Sequence, residues 1–395
     1  MAINVLFLHA NGDWMRGSEN ALLAVLRSMD KNEFRPYLIC GNPLLADLAK
    51  EQGIESSLHP MPEVMIDGSH FRLQFLSWAR TVRRLASYIK TRNIQLVYCN
   101  GGSTSQVGYF AGKNGRIPVV CHVHSPYIRR YPLLYRFHLA SKVIFVSEAI
   151  QQSIRAKQHF LAECEVVHNG VDTVRFCPAM VRDQSWRDRF SLSSNAVVFG
   201  QVSSLILRKG IDILLRSFQL VQLKHPEARL VLVGDGPERD RFTALAGRLG
   251  VANNTIFVGS QPDPLPFYQH IIDVNVLASR SDAFPLSVLE GASCGLPTIA
   301  ANVDGIPESV FQDRTGFLFS SENVLELAEK MSTLLAEAGL RRRLGDAART
   351  VAVESFSVET YCHSIERIIR EQVSAARQEV SSADRVPLVS ENVPK

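Results

Sequence analysis

The sequence predicts an α/β protein built from two doubly wound, Rossmann-like parallel sheets, and three observations carry that expectation. A chain of 395 residues is long enough for two domains of ordinary size. Short β-branched runs alternate with amphipathic helical patterns along its length, which is how parallel strands joined by helical crossovers read. The alternation restarts after a polar stretch at 183–194, rich in Ser, Asp and Arg, which marks the domain boundary. Ligands of such sheets bind outside the carboxyl ends of the strands. Two facing domains would therefore set their loops across one cleft.

The apolar run at 3–9 lacks a basic leader and a small-residue cleavage site, so it reads as a first buried strand rather than a signal peptide. Further strands are expected at 36–40, 94–99, 118–122, 142–146 and 165–168 in the first half. The second half offers 196–203, 229–233, 255–258, 274–277 and 297–300. Amphipathic helices are expected at 17–29, 210–223, 238–249 and 322–336. The domains are set at 1–182 and 195–355. A helical segment at 356–378 is more than a second-domain sheet requires, and the Ser-, Glu- and Pro-containing end, 379–395, reads as a mobile tail.

Composition narrows the function. Apolar content of 46% and charged content of 21% describe a soluble globular chain, and no run of eighteen apolar residues offers a membrane span. Seven scattered cysteines read as cytosolic thiols, with Cys99 and Cys121 as small core residues. The net charge of +4 is uneven: residues 1–180 hold 20 Lys+Arg against 13 Asp+Glu, and residues 181–395 hold 23 against 26. Nucleic-acid binding explains this poorly, because the cations are not interleaved with stacking aromatics and no nucleic-acid motif occurs. A basic half facing a phosphate-bearing or membrane-bound substrate fits, as does ordinary solvated surface. The segment 71–93, with Arg80, Arg83, Arg84 and Lys90 among Phe75, Leu76 and Trp78, suits either a membrane surface or packing on a sheet.

The richest stretch is 279–297, where Asp282 and Glu290 bracket a loop that turns into an apolar helix. Carboxylates accept hydrogen bonds from sugar hydroxyls, and a helix N-terminus favours phosphate, so the stretch suits a nucleotide-sugar. Arg208-Lys209-Gly210 precedes an apolar helix, and a lysine there can reach a diphosphate leaving group. Gly234-Asp235-Gly236-Pro237 and Val258-Gly259 follow later strands, and Val167-His168-Asn169-Gly170-Val171-Asp172 closes the first half. A strand at 118–122 runs into His122 and His124, which share a face; His122 reads as core, while His124 stands at the carboxyl end.

These motifs together resemble glycosyltransferase family 4, a retaining family with the GT-B fold, from about Val5 to Ile369. The resemblance implies a GT-B architecture with a C-terminal helix crossing back to the first domain. It implies transfer of a sugar from a nucleotide diphosphate sugar to a hydroxyl of a glycan or glycolipid, in polysaccharide or glycolipid assembly. Carried onto this sequence, it puts His124, Lys209 and Asp282 at the reaction. Donor binding falls to Gly17, Ser204, Arg208, Lys209, Val258, Asp282, Phe284, Leu286, Ser287 and Glu290. Glu290 would take the ribose hydroxyls, Asp282 the sugar hydroxyls, the N–H groups of Leu286 and Ser287 the diphosphate, and Val258 the base. Arg129, Arg130 and Arg136 would meet a phosphate on the acceptor.

Two positions depart from the family pattern. Asp282 replaces the usual Glu, and Ser204 stands where an Arg is common, so Arg208 or another cation must compensate. Ser18 replaces the second glycine of a Gly-Gly pair after Arg16 and could cap the first helix. No Asp-x-Asp triplet occurs, so neither a metal nor another cofactor is expected. The expected location is the cytoplasm, with peripheral attachment to the inner membrane face left open. Two alternatives stay beside this reading: a catalytically weak nucleotide-sugar-binding partner subunit, and a GT-B nucleotide-sugar epimerase. A dinucleotide dehydrogenase is disfavoured, because no Gly-x-Gly-x-x-Gly follows the first strand.

Overall fold

The computed structural model describes residues 2–62, 65–67, 70–72, 75–126, 135–155 and 162–383. The backbone divides into two compact units, one of residues 1–145, 154–167 and 362–395, the other of residues 146–153 and 168–361.

The first unit contains β1 (Ile3–Asn11), α1 (Gly17–Ser28), β2 (Phe34–Gly41), α2 (Pro43–Glu51) and β3 (Glu55–Leu58). A short antiparallel pair follows, β4 (Met65–Asp67) and β5 (His70–Arg72), then α3 (Phe75–Thr91), β6 (Leu96–Asn100), α4 (Gly102–Gly115), β7 (Val119–Val123) and β8 (Lys142–Phe145). After α5 (Glu148–Arg155), most of which belongs to the other unit, β9 (Glu163–Val166) completes a parallel sheet in the order β3-β2-β1-β6-β7-β8-β9. Val5, Leu6, Phe7 and Leu8 are all fully buried, as expected of a central strand covered on both faces. The chain winds outward from β1 through β2 and β3, then returns to start again at β6. The strand order therefore reverses between β1 and β6.

The second unit contains α6 (Gln184–Asp188), β10 (Val198–Val202), α7 (Ile211–Gln222), β11 (Arg229–Val233), α8 (Arg239–Arg248), β12 (Thr255–Gly259) and β13 (Val274–Leu277). Next come α9 (Leu286–Ser293), β14 (Thr298–Ala301), β15 (Gly316–Phe319), α10 (Val324–Ala336) and α11 (Ala338–Ser355). Its sheet is parallel in the order β12-β11-β10-β13-β14-β15, so the order reverses between β10 and β13. Alternation sorts the core by face. Phe199, Leu230, Leu232, Val276, Ile299 and Phe319 pack under α7, α8 and α10, while Leu277 and Ala300 pack with Val288 of α9 on the other face.

The last helix, α12 (Val358–Ala383), contributes residues from Cys362 onward to the first unit. There the Arg370 guanidinium donates to both oxygens of Glu33 at 2.6 and 2.8 Å, and the Glu366 carboxylate accepts from the Asp30 N–H at 2.8 Å. The helix runs to Ala383, so residues 379–383 are helical rather than tail; polarity alone does not stop a helix that lacks Gly or Pro. Residues 384–395 lie outside the described set. Among the described residues, no helix is long and apolar enough to cross a membrane.

Gly210 ties this architecture to the loop beside it. It has φ +67°, and a Cβ there would lie 1.8 Å from the Ala278 carbonyl oxygen. Gly247, inside α8, has open space within 4 Å. Gly210→Ala is expected to cost about 3 kcal/mol or more through strain and steric overlap. Gly247→Ala is expected to stabilise by roughly 0.5–1 kcal/mol through helix propensity. Paired thermal melts should show shifts of opposite sign; equal shifts would contradict the placement of Gly210.

Candidate functional site

In the second unit, two loops leave the carboxyl ends of the adjacent strands β10 and β13, where the strand order reverses. The loop after β10 carries Arg208 and Lys209, and the loop after β13 carries Asp282. They are sewn together along their length. The Gln201 side chain, 1% exposed on β10, donates to the Lys209 carbonyl at 2.8 Å and accepts from the Ala278 N–H at 3.4 Å. The Arg280 N–H donates to the Arg208 carbonyl at 2.8 Å. The Arg280 guanidinium forks onto both oxygens of Asp212, at 2.8 and 2.9 Å, and donates to the Leu207 carbonyl at 2.6 Å and to Glu322 at 2.6 Å. Burial works to raise the Asp212 pKa, but the Arg280 fork outweighs it and holds the carboxyl below the usual range. With so many acceptors around it, Arg280 positions the loops rather than meeting a ligand.

Across this seam Lys209 Nζ lies 2.5 Å from Asp282 Oδ2, and an Arg208 guanidinium nitrogen lies 3.9 Å from the same oxygen. Lys209 and Asp282 are mostly buried, whereas Arg208 is half exposed. Two cations therefore converge on one anionic oxygen. The Asp282 N–H and the Ser281 hydroxyl donate to Asp304 Oδ2, at 3.1 and 2.5 Å, which sets the loop's path.

Four residues after Asp282, α9 begins at Leu286 with Pro285 as its N-cap, and no side chain caps it. Pro285 thus stands before the first turn rather than inside it. The Val288 N–H donates to the Pro285 carbonyl at 3.2 Å, while those of Leu286 and Ser287 have no partner among the described residues and remain open to an outside acceptor. Glu290 follows one turn later. The Tyr268 hydroxyl lies 3.1 Å from Glu290 Oε2 and 3.2 Å from the Ser287 carbonyl. The other carboxylate oxygen of Glu290 has no partner among the described residues. Burial pushes the Glu290 pKa up to about 7, with Tyr268 and the charge of Arg175 pulling the other way.

The first unit repeats the pattern at its own strand reversal. His9 lies near the end of β1 and Asn100 ends β6, while Glu19 stands in the first turn of α1 and His124 follows β7. His9 Nε2 is 3.1 Å from Glu19 Oε1, Asn100 Nδ2 is 2.9 Å from His9 Nδ1, and Asn100 Oδ1 is 2.7 Å from His124 Nε2. His122 is fully buried, with the Tyr98 hydroxyl 2.6 Å from its Nδ1 and the His124 ring 3.9 Å away. Gly17 is the first residue of α1. Ser18 does not cap it: Glu19 accepts from the Arg16 N–H at 3.2 Å and from the Ser18 hydroxyl at 2.8 Å, filling the capping role from the first turn.

The remaining expectations fall as follows. Ser204 is exposed in the loop after β10, and Val258 is half-buried in β12 beside Gly259. The Phe284 ring is 4% exposed and stacks on His168 at 4.6 Å, so its side chain is committed to packing. Arg136 is exposed, 5.8 Å over the Phe110 ring. Arg129 and Arg130 lie outside the described residues. Among the described residues, no cluster of three or more His, Cys, Asp or Glu is placed to hold a metal ion. Sequence reasoning passed over Gln201, Tyr268 and Arg280, and the joint use of His9, Glu19 and Asn100. Each acts through a partner distant in sequence, and the one readable signal was a set of polar residues at strand ends.

Comparison with known proteins assigns this arrangement to a family. Residues 15–175 match the family model "Glycosyltransferase Family 4" and residues 183–351 match "Glycosyl transferases group 1". The chain belongs to the family 4, group 1 glycosyltransferases. A GDP-mannose-dependent alpha-(1-6)-phosphatidylinositol monomannoside mannosyltransferase of Mycolicibacterium smegmatis is 30% identical over 229 residues, covering 56% of this chain and 60% of that protein. The sulfoquinovosyl transferase SQD2 of Arabidopsis thaliana is 32% identical over 279 residues, 66% of this chain and 52% of that protein. The chain thus spans less than two thirds of the length of these relatives. The crystal structure of Anabaena Alr3699/HepE with UDP and glucose superposes with a TM-score of 0.80 at 23% identity, over 93% of this chain and 99% of that one. The sucrose-phosphate synthase of Thermosynechococcus elongatus gives 0.79 at 18% identity, over 94% and 100%. The fold is GT-B.

Arg280→Ala would strip Asp212 and the Leu207 carbonyl of a charged donor, at an expected cost of about 2 kcal/mol. Arg280→Lys should recover only part of this, because an ammonium cannot fork onto a carboxylate. Denaturant melts of the two variants check the order; full recovery by Lys would contradict the fork's role.

Proposed function

We propose that this chain is a retaining glycosyltransferase that moves a sugar from a nucleoside diphosphate sugar to a hydroxyl acceptor, in the assembly of a polysaccharide or glycolipid. The observation that carries this reading is the convergence of Lys209 and Arg208 on Asp282 just before the uncapped start of α9. Two cations gathered on one oxygen, next to free backbone N–H groups, suit a diphosphate. On donor binding the cations turn to the diphosphate and Asp282 is released to the sugar hydroxyls. Arg208 supplies the charge that Ser204 cannot. Lys209 then stabilises the charge that grows on the leaving phosphate. Leu286 and Ser287 donate their N–H groups to it, Glu290 takes the ribose hydroxyls with its open oxygen, and Val258 lies beside the base. Gly17 leaves room for the donor.

The chemistry proposed is metal-independent, with Lys209, Arg208 and the α9 dipole carrying the electrostatic load. In a front-face transfer, the bond from the anomeric carbon to the phosphate oxygen breaks and the acceptor oxygen bonds on the same face. The acceptor's proton passes to the departing phosphate. The name of the mannosyltransferase, GDP-mannose-dependent and acting on a phosphatidylinositol mannoside, supports a sugar-nucleotide donor and a lipid acceptor. Arg136 would meet acceptor phosphate, with Arg129 and Arg130 following from the family pattern alone. Work at the inner membrane face from the cytoplasm fits α3, where Phe75 and Leu76 are 60% and 71% exposed on a helix carrying Arg80, Arg83 and Arg84. One observation favours a second reading: Ser204 is exposed at the usual Arg position, which suits a catalytically weak donor-binding partner subunit.

A thermal-shift panel of UDP-, GDP- and ADP-sugars without added metal tests the proposal. One base should stabilise the protein by roughly 3 kcal/mol at a hundredfold excess over its Kd, and Glu290→Ala should abolish the shift. With an acceptor found, Lys209→Ala should lower kcat about 10²–10³-fold. No shift with any donor, or full turnover by Lys209→Ala, would sink the reading; donor binding without transfer would favour the partner subunit.

Acidity adds a second check. The folded pKa of Glu290, about 7, is above its ordinary 4.5. Ionising Glu290 therefore costs stability as pH rises through that window, while the ionised form is the stronger ribose acceptor. Nucleotide affinity should rise as pH passes 7, and the step should vanish in Glu290→Gln. Titrations at pH 6 and 8 giving the same step in both proteins would rule out this role.

A further inference from the structure

The polar chain in the first unit has a fixed direction. Glu19 is held ionised, its pKa at about 2: burial opposes this, but the His9 ring, the Ser18 hydroxyl and the backbone outweigh it. A carboxylate only accepts, so His9 Nε2 carries the proton. The Asn100 amide cannot be turned round, because its Nδ2 also lies 3.1 Å from the Ser18 carbonyl, which only accepts. Nδ2 therefore donates to His9 Nδ1, which keeps its lone pair. Asn100 Oδ1 is left facing His124 Nε2 at 2.7 Å, so that nitrogen must donate. Every hydrogen bond from His124 to Glu19 points the same way.

We propose that Glu19, His9 and Asn100 are positioning residues that lock His124 as the neutral Nε2–H tautomer, so that its Nδ1 lone pair receives a ligand hydroxyl. The assignment of that ligand as the donor sugar rests on the proposed function; the tautomer does not. Nδ1 has no partner among the described residues. A lone pair repels a phosphate oxygen and accepts from a hydroxyl, so His124 reads sugar rather than diphosphate. Among the described residues, the groups facing His124 are His9 from β1, Glu19 from α1, Asn100 from β6 and His122 from β7. Of the members, His9, Glu19 and Asn100 are 4%, 5% and 2% exposed, which keeps water from competing for the bonds. Burial pushes His124 down to about 3, so the ring stays neutral near pH 7.

Long-range proton–nitrogen correlation spectra of the full chain, labelled in histidine, read the tautomer directly. His124→Gln assigns the signal. Wild type should show a protonated Nε2 and an unprotonated Nδ1, unchanged from pH 8 to 5. A protonated Nδ1, or an imidazolium at pH 6, would overturn the proposal. Asn100→Asp replaces the amide donors with a carboxylate, and the His124 signal should become imidazolium at neutral pH; an unchanged signal would show that the chain does not set the tautomer. Glu19→Gln cannot accept from both His9 and the Arg16 N–H, and should leave His124 as a tautomer mixture. In binding assays, Asn100→Asp should weaken the nucleotide-sugar at least tenfold while leaving the free nucleoside diphosphate within twofold. Equal loss of both ligands would contradict a hydroxyl contact. If no nucleotide binds even to wild type, the proposed function fails and the spectra still decide the tautomer.

Discussion

Parallel strands deliver their carboxyl ends to one edge of a sheet, and only where the strand order reverses do the helices that follow diverge and leave room for a ligand. Both units obey this constraint. In the second, the reversal between β10 and β13 brings Lys209 to Asp282; in the first, the reversal between β1 and β6 brings His9 to Asn100. The helices, turns and seams around these points serve to hold them. Gly210 allows the backbone to pass close to Ala278, and Gln201 and Arg280 then bind the two second-unit loops to one another.

The two reversals are electrostatically unlike. In the second unit the positive charges of Arg208 and Lys209 outnumber the one carboxylate they share: Arg208 is half exposed, and Lys209 is held by Asp282. In the first unit, Glu19 is buried and satisfied, and the group at the far end of its chain is a neutral ring. Glu290 adds a carboxylate near neutrality whose open oxygen suits a hydroxyl.

What could be read from the sequence was whatever is local in it. The Lys209 loop, the Asp282–Glu290 stretch and the strand leading to His124 each announce themselves within a few residues, and most long strands do the same through β-branched runs. β3, with the polar sequence Glu55-Ser56-Ser57-Leu58, and β15, only four residues long, give no such pattern; neighbouring strands impose them. Helix α4 is hidden by its glycines, which let it pack closely against β6 and β7. Arg280 looks like an ordinary loop cation until Asp212, sixty-eight residues away, receives its fork. The direction of the His124 chain depends on one amide seen from three sides, and no spacing rule contains it.

Hydrogen–deuterium exchange with and without a nucleoside diphosphate sugar is the most direct test of the central claim, that the two loops at the β10–β13 reversal and the start of α9 form the donor site. The account predicts ligand-dependent protection in peptides covering 203–210 and 282–290, with Lys209→Ala losing it in both. Donor binding that protects other segments and leaves these two unchanged would contradict it.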